Sequence, residues 1–308
     1  MTTALLTHAD CLGHVTPEGH PEQVARLDHV LHALEPFDLL RIGAPVAEDR
    51  DLTRAHPQSY IDRIAAAAPA EGETALDSDT WMSPGSMNAA RRGVGAAIRA
   101  VDAVLSGEAS NAFCATRPPG HHAERETPMG FCLFGNAAIA AKHALDHHGL
   151  ERVAVVDFDV HHGNGTQDLL WDEPRTLFIS SQQSPLWPGT GAASERGAHD
   201  NVLNLPLAPG SDSASMRAAY IEQAFPRLHD FRPDLLILSA GFDAHREDPL
   251  AQLAWETEDF RWLTRELCRI AADQCGGRVV SLLEGGYDLA ALAAAARAHV
   301  YELIEAGK

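Results

Sequence analysis

The chain has 308 residues, 45% of them hydrophobic and 22% charged, a balance that suits a folded protein with a sizeable core and argues against disorder, collagen and coiled coil. Its 24 Lys and Arg against 43 Asp and Glu leave a net charge of −19 with His neutral. That field repels nucleic-acid phosphates and anionic lipid, so neither class of partner is expected, and it favours a cationic or amine-bearing substrate.

In chain order, Met1-Thr2-Thr3-Ala4-Leu5-Leu6-Thr7-His8 has no basic stretch before its short apolar run. A secretory leader is therefore not expected, and a cytoplasmic setting is. The stretch 72–95 reads as a long excursion over the surface. Runs that are apolar on both faces follow at 112–116, 152–158, 176–180, 235–240 and 278–283, the pattern of buried parallel strands. Between and after them, 137–148, 215–229, 258–275 and 289–304 carry helical periodicity. The most apolar stretch, 289–300, is Ala-rich, is broken by Arg297 and is shorter than the roughly 20 residues of a membrane span. Five cysteines (Cys11, Cys114, Cys132, Cys268, Cys275) form no C-x-x-C pair and are expected to be reduced thiols. The alternation predicts an α/β fold, an open and mostly parallel sheet with helices on both faces. No linker, charge block or repeat divides the chain, so residues 1–308 read as one domain; a homo-oligomer is left open.

In such sheets, sites form where loops leave the carboxyl ends of strands. Four expected strands deliver chemistry there: Arg117-Pro118-Pro119-Gly120-His121-His122, Asp157-Phe158-Asp159-Val160-His161-His162, Ala240-Gly241-Phe242-Asp243-Ala244-His245 and Glu284-Gly285-Gly286-Tyr287. Asp157, Asp159 and His161 alternate, so Asp159 and His161 can bind one cation, with Asp243 as third ligand from another strand. Such a set leaves coordination positions open, as catalytic zinc sites do. Asp157 reads better as the residue that orients a histidine. His121 and His122 suit acid/base work, and Tyr287 could donate to a developing oxyanion. Each motif alone is common in turns or cores; their convergence on one sheet edge carries the reading.

These motifs, with Gly130-Phe131-Cys132-Leu133-Phe134, Gly163-Asn164-Gly165-Thr166, Pro188-Gly189-Thr190-Gly191 and the early Gly19-His20-Pro21-Glu22-Gln23-Val24-Ala25-Arg26-Leu27, strongly resemble the zinc-dependent histone deacetylase family over nearly the whole chain. The Arg-Pro-Pro-Gly-His-His form and Asn164 resemble its class II branch, with bacterial deacetylase-like amidohydrolases and acetylpolyamine amidohydrolases. The resemblance implies hydrolysis of acylated amines such as N-acetyl-lysine or acetylpolyamines. It implies one zinc on Asp159, His161 and Asp243, His122 as general base and acid, His121 as an electrostatic partner oriented by Asp157, and Tyr287 on the amide carbonyl. It further implies that His162 stays outside the ligand set, that Gly130, Phe131 and Trp187 line a narrow tunnel, and that a structural potassium lies near Asp157, Asp159, His161, Ser180 and Ser181. Gly135 stands where many relatives carry Asn, and Trp81 and Trp187 occupy stretches where relatives often have smaller rings; these differences bear on the tunnel mouth and acyl preference. Two rival readings stand beside it: a catalytically inactive acyl-amine binding module, and an arginase-type ureohydrolase. The second would need further carboxylates where this chain has Gly163 and His245.

Overall fold

The structure, a computed structural model, describes residues 2–308. Among them the strands are β1 (Thr3–Thr7), β2 (Leu40–Gly43), β3 (Thr74–Ala75), β4 (Trp81–Met82), β5 (Asn111–Cys114), β6 (Val153–Asp157), β7 (Thr176–Gln183), β8 (Val202–Leu207), β9 (Leu235–Ala240) and β10 (Val279–Leu283). The α-helices are α1 (Ala25–Leu34), α2 (Asp49–Leu52), α3 (Gln58–Ala67), α4 (Ser86–Ser106), α5 (Asn136–Asp146), α6 (Asn164–Leu170), α7 (Ser213–Ala219), α8 (Phe225–Phe231), α9 (Thr257–Cys275) and α10 (Leu289–Ala306). Eight strands form one parallel sheet in the order β2-β1-β5-β10-β9-β6-β7-β8, while β3 and β4 make a separate antiparallel ribbon.

The strands are apolar throughout because each feeds two core layers. In β6, Ala154 and Val156 pack with α1, α9 and α10, whereas Val153 and Val155 pack with α3, α4 and α5; Leu236 and Leu238 of β9 part from Leu235 and Ile237 in the same way. Helices on both faces leave no side of the sheet to water, so the alternation is between two apolar layers rather than between core and solvent. No helix among the described residues is long and apolar enough to cross a membrane.

Three expectations need correction. The stretch 72–95 is not a surface excursion: after the β3–β4 ribbon it enters α4, whose Ala89, Ala90, Gly93 and Val94 are buried. Small residues hid this helix, since Ala and Gly give little apolar contrast yet let backbones approach closely; a Cβ on Gly95 would collide with the Pro45 carbonyl. The helix expected at 215–229 is interrupted by a π turn, Tyr220–Ala224. Pro226 has no N–H for the Glu222 carbonyl, and the widened turn, closed by the Phe225 N–H on the Tyr220 carbonyl, absorbs that defect. Finally, β1, β2 and β8 were not foreseen; β8 carries Pro206, which an edge strand tolerates.

Topology positions the site. β5, β10, β9 and β6 are consecutive in the middle of the sheet, so the four loops that bear histidines, aspartates and tyrosine leave side by side.

Candidate active site

β6 ends at Asp157 and β9 at Ala240. Beyond β6, Phe158 and Val160 turn into the core, which leaves Asp157, Asp159 and His161 for the opposite side. The His161 Nδ1 lies 3.1 Å from Asp159 Oδ1 and 3.1 Å from Asp243 Oδ2. Backbone donors fix both carboxylates: the Gly285 N–H on Asp159 Oδ2 at 2.8 Å, the His161 N–H on Asp159 Oδ1 at 2.9 Å, and the Val160 N–H on Asp243 Oδ1 at 2.8 Å. A Cβ on Gly241 would strike the Asp159 carboxylate and one on Gly285 the Asp243 carboxylate, so only glycine lets these chains close over the set.

The donor set fits a metal. One imidazole nitrogen has one hydrogen to give and cannot satisfy two carboxylates, whereas a cation between the three atoms can. Tetrahedral zinc with bonds near 2 Å separates its ligand atoms by about 3.3 Å, close to the spacing present. Burial works against charge on His161, yet hydrogen bonds to Asp159 and Asp243 push its pKa up to about 10. Burial and the neighbouring Asp159 charge push Asp243 up to about 7. The pocket thus draws positive charge to one point. All three residues are buried, and their ligand atoms lie within 4.8 Å of one another.

The loop after β5 is pinned by Glu284, whose Oε2 accepts the Gly120 N–H at 2.7 Å and the His121 N–H at 3.2 Å. The two imidazoles stand 3.9 Å apart but meet different partners. His121 pairs through Nδ1 with Asp157 Oδ2 at 3.0 Å, and His122 through Nδ1 with the neutral Asn164 Oδ1 at 2.8 Å. Burial lowers His121, but the charges of Asp159 and Asp157 outweigh it and hold the ring well above its ordinary pKa. Burial, followed by the charges of His121 and His161, holds His122 well below. One imidazole is kept charged and its neighbour neutral, the division that acid/base work requires.

Tyr287 enters from the loop after β10, its N–H held by Asp248 Oδ2 at 2.7 Å. Burial raises its phenol well above 10, so the hydroxyl keeps its proton as a donor. Beneath it, the buried Arg26 donates to the carbonyls of Gly286 at 2.6 Å and Glu284 at 2.5 Å, and its guanidinium lies 4.9 Å from the tyrosine ring centroid. Glu22, also buried, holds Arg26 at 2.9 Å and Arg117 at 2.6 Å. Sequence reading gave Arg26 no role; a signal was there, since it shares an i, i+4, i+8 stripe with Val30 and Leu34, where a charge needs a buried partner.

A cavity of about 340 Å³ descends to His122, His161 and Tyr287 between Phe131 and Trp187, with Gly130 in its wall. Any Cβ on Gly130, whose φ is 55°, would collide with the His122 ring and the Trp187 indole. Phe131 follows with a φ of 68°, and the Thr80 hydroxyl takes its N–H at 3.2 Å. A left-handed phenylalanine is strained and persists only where its surroundings hold it. His20, Ser78, Asp79, Leu186 and Leu250 also line the cavity and were not foreseen, because they come from separate loops without periodicity.

Other expectations find their places. His162 bonds Thr190 at 2.8 Å and Gln167 at 3.0 Å, outside the ligand set. Ser181 Oγ pairs with the Tyr220 hydroxyl at 2.7 Å, while the buried Ser180 Oγ has no partner among the described residues. Trp81 is not a cavity-lining residue but sits in the β3–β4 ribbon, paired with Ala75. Gly135 precedes α5, where a Cβ would strike Leu169; that departure answers to packing rather than to the cavity. The two positions where an arginase-type second metal would need carboxylates hold none: Gly163 abuts Asp157, and His245 faces the Glu247 N–H and Thr257.

A family profile described as "Histone deacetylase domain" matches residues 20–303. The chain belongs to the histone deacetylase family. It is 42% identical over 273 residues to a histone deacetylase-like amidohydrolase of Pseudomonas aeruginosa, covering 87% of this chain and 71% of that protein. It is 38% identical over 304 residues to the protein named histone deacetylase 14, chloroplastic, of Arabidopsis thaliana, covering 91% and 72%. Among solved structures, the HDA15 HD domain superposes with a TM-score of 0.93 at 33% identity, over 99% of this chain and 88% of that one. The protein is a deacetylase-type hydrolase acting on amides, on the arginase-like sheet of this family. The histone deacetylase family is generally zinc-dependent, and Asp159, His161 and Asp243 form a buried donor set that could hold a metal ion.

Proposed function

We propose that this chain removes acetyl or related acyl groups from acylated amines, N-acetyl-lysine or acetylpolyamines, with one zinc on Asp159, His161 and Asp243 and with residues 1–308 acting as a single catalytic domain. The observation that carries this reading is the convergence, at the foot of one cavity, of a cation-seeking donor set, a neutral imidazole and a protonated phenol. When bound, zinc supplies Lewis acidity, which makes water nucleophilic near neutral pH and polarises a carbonyl.

The remaining steps belong to side chains. Asn164 Oδ1 accepts from His122 Nδ1, which leaves Nε2 with the lone pair, free to take a proton from water and return it to the leaving nitrogen. His121, kept charged by Asp159 and Asp157, supplies positive potential beside it. The Tyr287 hydroxyl donates to the substrate oxygen as that atom gains negative charge. Phe131 and Trp187 hold the alkyl chain, and the negative field with Asp79 at the cavity supports a cationic amine. A structural potassium by Asp157, Asp159, His161, Ser180 and Ser181 is supported by the unpartnered Ser180 Oγ. Five free, buried cysteines support a cytoplasmic setting.

The test is acetate release by zinc-loaded protein from acetyl-lysine peptides and from acetylpolyamines, with His122→Ala as control. Release from either substrate class that collapses in the variant while zinc is retained supports the reading. No release from any of them by protein holding stoichiometric zinc overturns it in favour of a binding module.

A further inference from the structure

A second cluster of metal-ligating side chains lies away from the cavity. His143 is on α5, His147 caps that helix and His148 follows it, and a ring nitrogen from each lies within 4.8 Å of the others. His143 and His147 are four residues apart, hence on one face of the helix, with ring centroids 4.8 Å apart; His148 crosses His143 at 5.2 Å and His147 at 4.9 Å. From α4, Asp102 Oδ1 accepts from Nε2 of His143 and from Nε2 of His148, each at 2.7 Å.

That carboxylate sets the tautomers. Neutral rings that donate from Nε2 carry their lone pairs on Nδ1, and a carboxylate behind a ligating imidazole is the usual support of a metal-bound histidine. The His143 Nδ1 is buried and meets no donor among the described residues, although the residue is 5% exposed. A buried lone pair without a partner is costly, and it faces no protein group that relieves it. His147 and His148 are exposed, and His148 keeps its Nε2 on Asp102.

We infer that His143, His147 and His148, backed by Asp102, form a second metal site that takes a divalent transition cation of borderline softness. Three imidazoles suit Zn²⁺, Ni²⁺ or Cu²⁺ rather than Mg²⁺ or Ca²⁺. The ion would tie the carboxyl end of α5 to α4. Since α5 has 11 residues, that end lies about 16 Å from the one that begins at the cavity-side loop, so the ion is structural rather than catalytic.

The experiment is zinc stoichiometry after exposure to excess Zn²⁺ and removal of free metal, for the whole chain, Asp243→Ala, and His147→Ala/His148→Ala. The expected counts are two, one and one per chain, with hydrolysis unchanged in the double histidine variant. Zinc should also raise the melting temperature of Asp243→Ala, by about 5 °C near a hundredfold excess over Kd, but not that of a variant lacking Asp243 and both histidines. A count of one in the unaltered chain, or two in the histidine variant, overturns the second site. A count unchanged by Asp243→Ala alone overturns the catalytic ligand assignment instead.

Discussion

The floor and the rim of the cavity are built on opposite terms. The floor, Asp157, Asp159, His161 and Asp243, stands at the ends of buried strands and is held by backbone N–H groups that leave its carboxylates one orientation. The rim, Phe131, Trp187, Asp79 and Leu250, comes from loops; Trp187 is 42% exposed and Phe131 sits in a strained backbone. Chemistry that tolerates little displacement rests on strands, while the surface that chooses a substrate is left to segments that can vary.

If the division is real, losses should grade from floor to rim. Asp243→Ala should abolish hydrolysis and metal retention at the cavity floor while circular dichroism shows the fold intact; a variant with normal turnover would remove Asp243 from the ligand set. His122→Ala should lower kcat about 10²–10⁴-fold with zinc still bound, and His121→Ala less; equal and negligible losses would move the base elsewhere. Tyr287→Phe should cost about 10²–10³-fold in kcat with KM little altered. Unchanged turnover with a lower melting temperature would make the tyrosine structural. At the rim, Trp187→Ala should raise KM by about tenfold or less, near 1.4 kcal/mol, and spare kcat; a kcat collapse there would erase the distinction.

An effect on stability rather than turnover lies under the floor. His299 on α10 is buried against Phe158 and Phe242, 5.9 and 5.7 Å away between centroids, and bonds Thr264 at 2.7 Å and Ser281 at 2.8 Å. Burial pushes its pKa down to about 3. The unfolded chain takes up a proton below about pH 6.5 and the native one does not, so this contribution is complete above that pH and is lost as pH falls toward 3. The slope is about 1.4 kcal/mol per pH unit. Urea unfolding at pH 7.5, 6 and 5 should show a shallower loss for His299→Asn than for the unaltered chain; equal slopes would mean that His299 is not held neutral.

What could be read from the sequence follows the same division. Strands such as 235–240 announce themselves because both faces are apolar, and the residues just past them carry the chemistry, so the floor was legible as soon as strand ends were located. The helix at Ser86–Ser106 was not, because its packing rests on alanine and glycine. Asp79 at the rim depends on loops meeting from distant parts of the chain, which no local period encodes, whereas the stripe of α1 marks Arg26 as buried without naming the partners it meets.

The position of β10 has a consequence for biosynthesis. The strand that delivers Glu284 and Tyr287 is the last of the sheet to be made, yet it lies between β5 and β9. A nascent chain that has emerged only as far as Asp243, just past β9, holds the aspartates and the histidine of the floor but lacks the strand that joins the two halves of the sheet. Contacts of this span form slowly. The ribosome therefore releases the chain through β10 and Tyr287 before a competent centre can assemble, and a product truncated before β10 carries the ligands without the machinery to use them.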